Sequence, residues 1–138
     1  MNSNELAPST PLLWTGRILS GLVIAFLVFD GAIKLAPIQP VTDSLLELGF
    51  TPTDALARGL GILLIACTLL YAIPRTSLLG AILVTGYLGG AIAIQVRVGN
   101  PLFTHILFSF YLGAFMWAGL LIRNRQARYA LFSEQRQT

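Results

Sequence analysis

The stretch FLVFDGAIKLAP (26–37) sets an aspartate and a lysine four positions apart inside an apolar run. On a helix that spacing places Asp30 and Lys34 on one face, within reach of each other as an ion pair. Arg58, Gln95, Arg97 and His105 join them as polar side chains inside, or at the ends of, later apolar runs. A carboxylate among cationic and amide donors can hold a polar head group; it lacks the parts of a catalyst. There is no HExxH, P-loop, dinucleotide-binding glycine pattern or serine-centred elbow. One histidine cannot supply a bis-His haem within one chain, and the single Cys67 cannot act alone as a CxxC exchanger. These residues are therefore read as a candidate binding site, with no catalytic residue and no metal set.

The elements that position them follow from composition. The chain has 138 residues, 55% of them hydrophobic and 11% charged, with a mean hydropathy of +0.74. Soluble domains carry about 25% charged residues, so this chain lacks the polar groups to cover a water-facing surface. Four apolar segments follow one another with short breaks. Each has roughly the 20 residues that cross a ~30 Å hydrocarbon core at ~1.5 Å per residue. The expected fold is all-α: one integral membrane domain, a four-helix antiparallel bundle. The formal charge of +3 is small and scattered, so nucleic acid is not an expected partner. The first apolar run is too long for a secretory leader and no Lys or Arg precedes it, so it is read as a retained span.

Thr10-Pro11, Thr51-Pro52 and Asn100-Pro101 each set a capping side chain before a proline suited to a first helical turn. Thr51 also has Asp54 three residues on, a variant of the capping box. Spans are expected near 12–36, 52–73, 76–98 and 101–122, the second and third joined tightly through Pro74. In the first outer loop, Leu45, Leu46 and Leu48 with Asp43 and Glu47 predict a short interfacial helix. Residues 1–11 read as a flexible N-terminus and 123–138 as an amphipathic cytoplasmic tail.

An even number of spans puts both termini on one side. Arg17, Arg75, Arg123, Arg125, Arg128 and Arg136 fall there, against Lys34, Arg58 and Arg97 on the other. The bias predicts cytoplasmic termini. In the third span Ser77, Ala81, Thr85, Gly89 and Ala93 form a small-residue face, with Gly86 and Gly90 as a GxxxG beside it. Gly16 with Ser20, and Gly113 with Ala114 and Ala118, offer similar faces. Such faces pack spans within a chain or pair two copies of it as a homo-oligomer. Trp14 and Trp117 read as belt anchors or lipid-facing bulk, Tyr71 and Tyr87 as packing residues.

Asp30 and Arg58 each lie six residues inside the outer ends of their spans, roughly 9 Å deep at ~1.5 Å per residue. Gln95, Arg97 and His105 come from the outer ends of the third and fourth spans. The polar groups thus concentrate in the outer third of the bundle and leave the inner core nearly bare. A lone charge at the bilayer centre costs roughly 2.5–3.5 kcal/mol. Asp30 is therefore expected to be shared between Lys34 and Arg58. That cluster either fixes helix register or lines an outward-facing pocket for a head group.

The strings GRILSGLVIAFLVFDGAIKL (16–35) and PRTSLLGAILVTGYLGGAIAIQVRVGNPLFTHILF (74–108) resemble the DoxX-like family of small bacterial membrane proteins. The resemblance implies a four-helix bundle of the cytoplasmic (inner) membrane, and Asp30, Lys34, Arg97 and His105 carry over as its polar site. It further implies an accessory or binding subunit that engages lipid, a quinone head group or a redox or other membrane protein partner. The family includes a subunit linked to thiosulfate:quinone oxidation, and more distant relatives act as assembly factors. A membrane subunit of a quinone-linked sulfur or thiol oxidoreductase is thus one alternative, and a small transporter another. Relatives often carry a glutamate in the second span, where GLGILLIACTLL (59–70) stands here, and a histidine where this chain has Gln95. Both departures weaken a proton-coupled role.

Overall fold

Proline and its neighbours set where the long helices begin. A computed structural model describes residues 9–36, 38–51 and 53–133, except for the side chain of His105. Helix α1 runs Thr10–Leu35 with Pro11 in its first turn, so the last two residues of the expected flexible N-terminus are helical. Helix α2 spans Gln39–Glu47, α3 Asp54–Ala72 and α4 Ser77–Arg97. A π-helical turn, Leu102–Ile106, leads into α5 (Leu107–Arg123), and α6 (Arg125–Phe132) ends the described chain. Among the described residues four helical stretches, α1, α3, α4 and the π-helical turn together with α5 (Leu102–Arg123), are long and apolar enough to cross a membrane. The predicted spans agree with them to within about two residues, the usual uncertainty of helix ends.

The caps differ from expectation. Ser9, not Thr10, precedes α1, and Thr53, not Thr51, caps α3 by accepting Leu56 N at 3.2 Å. Asn100 turns back toward α4 instead of capping forward: its amide donates to Gln95 Oε1 and its N–H to the Gln95 carbonyl. At the C-termini of α2 and α4, Gly49 (φ 80°) and Gly99 (φ 74°) adopt the left-handed conformation that glycine alone enters freely. In both, the next residue's N–H closes a six-residue loop, Phe50 to the Leu45 carbonyl and Asn100 to that of Gln95. These are Schellman caps.

Around the bundle, α1 packs against α3 and α5, and α4 against α3 and α5. Each long helix is therefore flanked by two antiparallel neighbours, and α2 and α6 lie at opposite ends. The half nearer the termini is the tightly packed one: Leu64, Thr68, Tyr71, Ser77, Ala81, Val84, Met116 and Leu120 are all fully buried. There the α3–α4 hairpin is drawn so close that a Cβ on Gly80 would lie 2.1 Å from Tyr71 N. Thr76 Oγ1 donates to the Leu70 carbonyl at 2.8 Å and Ser77 Oγ to that of Pro74 at 3.0 Å, closing the turn.

The small-residue face of α4 is used only in part. Ser77 and Ala81 are buried in the hairpin. Thr85, Gly86, Gly89, Gly90 and Ala93 are exposed, and a Cβ on any of the three glycines would meet nothing within 4 Å. Gly86 and Gly90 face a space left between the spans at that height, and Gly89 and Ala93 are exposed without lining it. On α1 the expected pair is used, though against a residue the sequence did not single out: Ser20 packs on Gly119 of α5. Trp117 has a specific partner as well. It is half-buried and donates its indole N–H to Thr85 Oγ1 at 2.9 Å, joining α5 to α4.

Gly80→Ala is expected to lower stability by about 1–3 kcal/mol, because the clash is with backbone. Gly86→Ala is expected to be neutral or stabilising by up to about 1 kcal/mol. Unfolding midpoints in a mixed-detergent titration compare the two; equal effects would contradict the packing described.

Candidate functional site

The four spans part in the half away from the termini and leave a cavity of about 640 Å³. Its walls come from every long helix: Phe26, Leu27, Asp30 and Lys34 from α1, Leu56, Ala57 and Leu60 from α3, Gly86 to Gln95 on one face of α4, and Phe108, Ser109 and Leu112 from α5. Helix α2 covers it. The short helix predicted at the interface turns Val41, Ser44, Leu45 and Leu48 toward the space, with Phe50 beyond, and buries Leu45. Phe26 and Phe108 meet edge to face at 5.1 Å across the α1–α5 seam. The missing side chains at Gly86 and Gly90 supply part of the volume.

Asp30 and Lys34 form the ion pair that their spacing predicts. Lys34 Nζ lies 2.5 Å from Asp30 Oδ2, with the side chains 21% and 38% exposed respectively. The height of the pair is set by a backbone crossing next to it. A Cβ on Gly61 of α3 would stand 2.6 Å from the Gly31 carbonyl and 3.0 Å from Lys34 Cβ. No other residue fits there without moving α1 away from α3. Gln95 also lines the cavity, its side-chain oxygen engaged by Asn100. Tyr87, Ser44 and Ser109 complete the polar part of the lining.

Arg58 does not share Asp30. It lies 3.9 Å from Asp54, one turn back on its own helix, and both side chains are largely exposed. An acid at i−4 is nearer than one on a neighbouring helix and needs no desolvation of the guanidinium. Arg97 is exposed at the end of α4 and is not part of the cavity wall. His105 falls in the π-helical turn, and its side chain lies outside the described residues.

Nor is the inner core bare. Tyr71 donates its hydroxyl to the Met116 carbonyl at 2.8 Å and shares a 3.0 Å hydrogen bond with Ser20 Oγ. Arg123 donates to the Tyr71 carbonyl at 2.7 Å, its guanidinium 4.9 Å from the ring centre. Asn124 donates to Pro74 O and Ser77 Oγ and caps α6 by accepting Ala127 N at 3.2 Å. Tyr71 is therefore a polar junction as well as a packing residue. A serine on the first span was the one signal in the sequence that its hydroxyl had a partner.

The model of the DoxX-like family matches residues 18–119. The chain belongs to the DoxX-like family. The matched segment holds every wall of the cavity and stops short of Arg123 and α6. No curated protein and no solved structure matches the chain. Within this DoxX-like bundle the family resemblance pointed to Asp30, Lys34, Arg97 and His105; the first two stand together at the cavity, and Arg97 does not join them.

Double-mutant cycles separate the two expected partners of Asp30. Coupling between Asp30→Asn and Lys34→Met should be about 0.2–1 kcal/mol, the range for partly exposed pairs. Coupling between Asp30→Asn and Arg58→Gln should be indistinguishable from zero. A larger value for the Arg58 cycle would restore the shared arrangement.

Proposed function

We propose that this chain is a binding or accessory subunit that takes an amphipathic molecule into the cavity beneath α2. The head group of a lipid or quinone would lie beside Asp30 and Lys34, and its apolar body along Leu27, Leu60, Leu88 and Leu112. One observation carries the reading: a cavity of about 640 Å³ with a single ion pair in a mainly apolar wall. Small-molecule sites have that character, an apolar lining with a few polar groups that fix orientation. The apolar lining disfavours a fully hydrated solute. An isolated ion pair favours an occupant with hydrogen-bonding oxygens at one end. Charge also supports an orientation in the cytoplasmic membrane, because Arg17, Arg75, Arg123, Arg125 and Arg128 lie at the end that carries both termini. The cavity would then open toward the outer leaflet. As a membrane subunit of a quinone-linked sulfur or thiol oxidoreductase, the chain would use the same cavity, with the redox chemistry on a partner protein.

The test is the cargo of the full chain purified from native membranes in mild detergent. Mass spectrometry of the extract is expected to find one class of lipid or quinone at near-stoichiometric amount. Gly90→Phe fills the cavity where a Cβ meets nothing within 4 Å, and should reduce that cargo by roughly tenfold or more, about 1.4 kcal/mol, at unchanged folded yield. Asp30→Asn should reduce it less. Cargo unchanged in both variants would remove the cavity from consideration.

A further inference from the structure

The opposite end of the bundle holds a second concavity, of about 440 Å³, and its charged lining has one sign. Arg17 comes from α1, Arg75 from the α3–α4 turn, Arg123 from the end of α5 and Arg125 from the start of α6. Among the described residues the acids are Asp30, Asp43, Glu47 and Asp54, and none of them lines this cavity. A bias of arginine toward the cytoplasmic face needs only a scatter of charges in the loops. Convergence of four guanidinium groups from four elements on one cavity goes further.

Three of the four are held in place. Arg123 is braced by the Tyr71 carbonyl and ring, and its Nε–H is buried without a hydrogen-bond partner among the described residues. Arg125 donates from Nε and Nη2 to Tyr129 Oη at 3.1 and 2.8 Å. Arg17 stacks over Trp14 at 5.6 Å. Like charges gathered on the lining of one cavity raise its positive potential and favour an anion there. Helix α6 sets the depth. Arg128 ties it to the Leu121 and Ile122 carbonyls, and it exposes Tyr129, Leu131 and Phe132. A short helix with such residues lies at the level of lipid head groups.

We propose that this cavity is a phosphate site, filled by the head-group phosphate of an anionic phospholipid. Guanidinium forks match phosphate oxygens in pairs, and basic pockets between spans on the cytoplasmic side suit such head groups. The site is separate from the cavity beneath α2 and does not depend on its occupant.

Arg123 also braces Tyr71, so its removal tests folding together with binding. The variant that isolates binding is Arg17→Gln with Arg75→Gln, both exposed and outside the Tyr71 cluster. Full-length protein is delipidated, offered phosphatidylglycerol or phosphatidylethanolamine in mixed micelles, and read by native mass spectrometry. Phosphatidylglycerol should be retained at least about tenfold better, and the double variant should lose roughly twenty-five-fold, about fivefold per arginine. Retention should fall as salt rises. Displacement by millimolar inorganic phosphate would keep the site and assign it to the soluble anion; no displacement assigns it to the lipid. Equal retention of the two lipids, or an unaffected double variant, overturns the proposal.

Discussion

One tyrosine touches all four spans. Tyr71 belongs to α3, its hydroxyl reaches the Met116 carbonyl of α5 and Ser20 of α1, and its backbone nitrogen lies 2.1 Å from where a Cβ on Gly80 of α4 would stand. In lipid, helices gain little from hiding apolar surface from one another, so association rests on close packing and interhelical hydrogen bonds. Both occur here at one point. The Met116 carbonyl already lies within a helix and accepts a second hydrogen bond through its other lone pair, so the junction does not unwind α5. Arg123 then closes the same junction from the membrane surface. With one end of the bundle fastened, the other can part without the fold coming apart.

How it parts is decided by where side chains are large. On the α1–α3 side, the Gly31–Gly61 crossing keeps the helices in backbone contact well into the half away from the termini. That contact holds Asp30 and Lys34 at a fixed height beside the cavity. On the α4 side, Gly86 and Gly90 leave space where a larger residue would fill it. Glycine thus does opposite things in the two places: it lets α3 come in and lets the volume under α2 remain. The ion pair is tolerated because neither member is fully buried and each neutralises the other, which reduces the penalty for charge at membrane depth. Such a partly exposed pair adds little stability of its own.

The all-α bundle was legible because hydropathy and length are properties of whole segments. Asp30 with Lys34 was legible because partners on one helix are fixed by spacing alone. Arg58 was misassigned because its choice lay between Asp54 on its own helix and Asp30 on another, and sequence carries no rotation angle between helices. That Gly86, Gly89 and Gly90 of α4 do not pack within the chain was unreadable for a related reason: a small-residue repeat says that bulk is absent, without saying what lies opposite. Gly49 and Gly99 were ordinary C-cap signals, each directly after a helix, and were readable from LGF and VGN. The Tyr71 cluster was not readable. Its members are far apart in the chain, and one of its acceptors is a backbone carbonyl, which no residue type announces.

The same geometry bears on whether such a bundle could carry a solute across the membrane. Alternating access requires two seals that open in turn around a central site. The closure on the α2 side is light: α2 is a nine-residue helix whose one buried residue is Leu45. The closure at the other end is the packed half of the bundle, where Leu64, Thr68, Tyr71, Val84, Met116 and Leu120 are fully buried. Opening it would break the Tyr71 hydrogen bonds to α1 and α5, pull Gly80 off α3 and release Arg123 together. Those contacts are shared among all four spans, so no one helix or repeat can rock free while the rest stay fixed. Two closures of such unequal weight do not make the paired gates that alternating access uses.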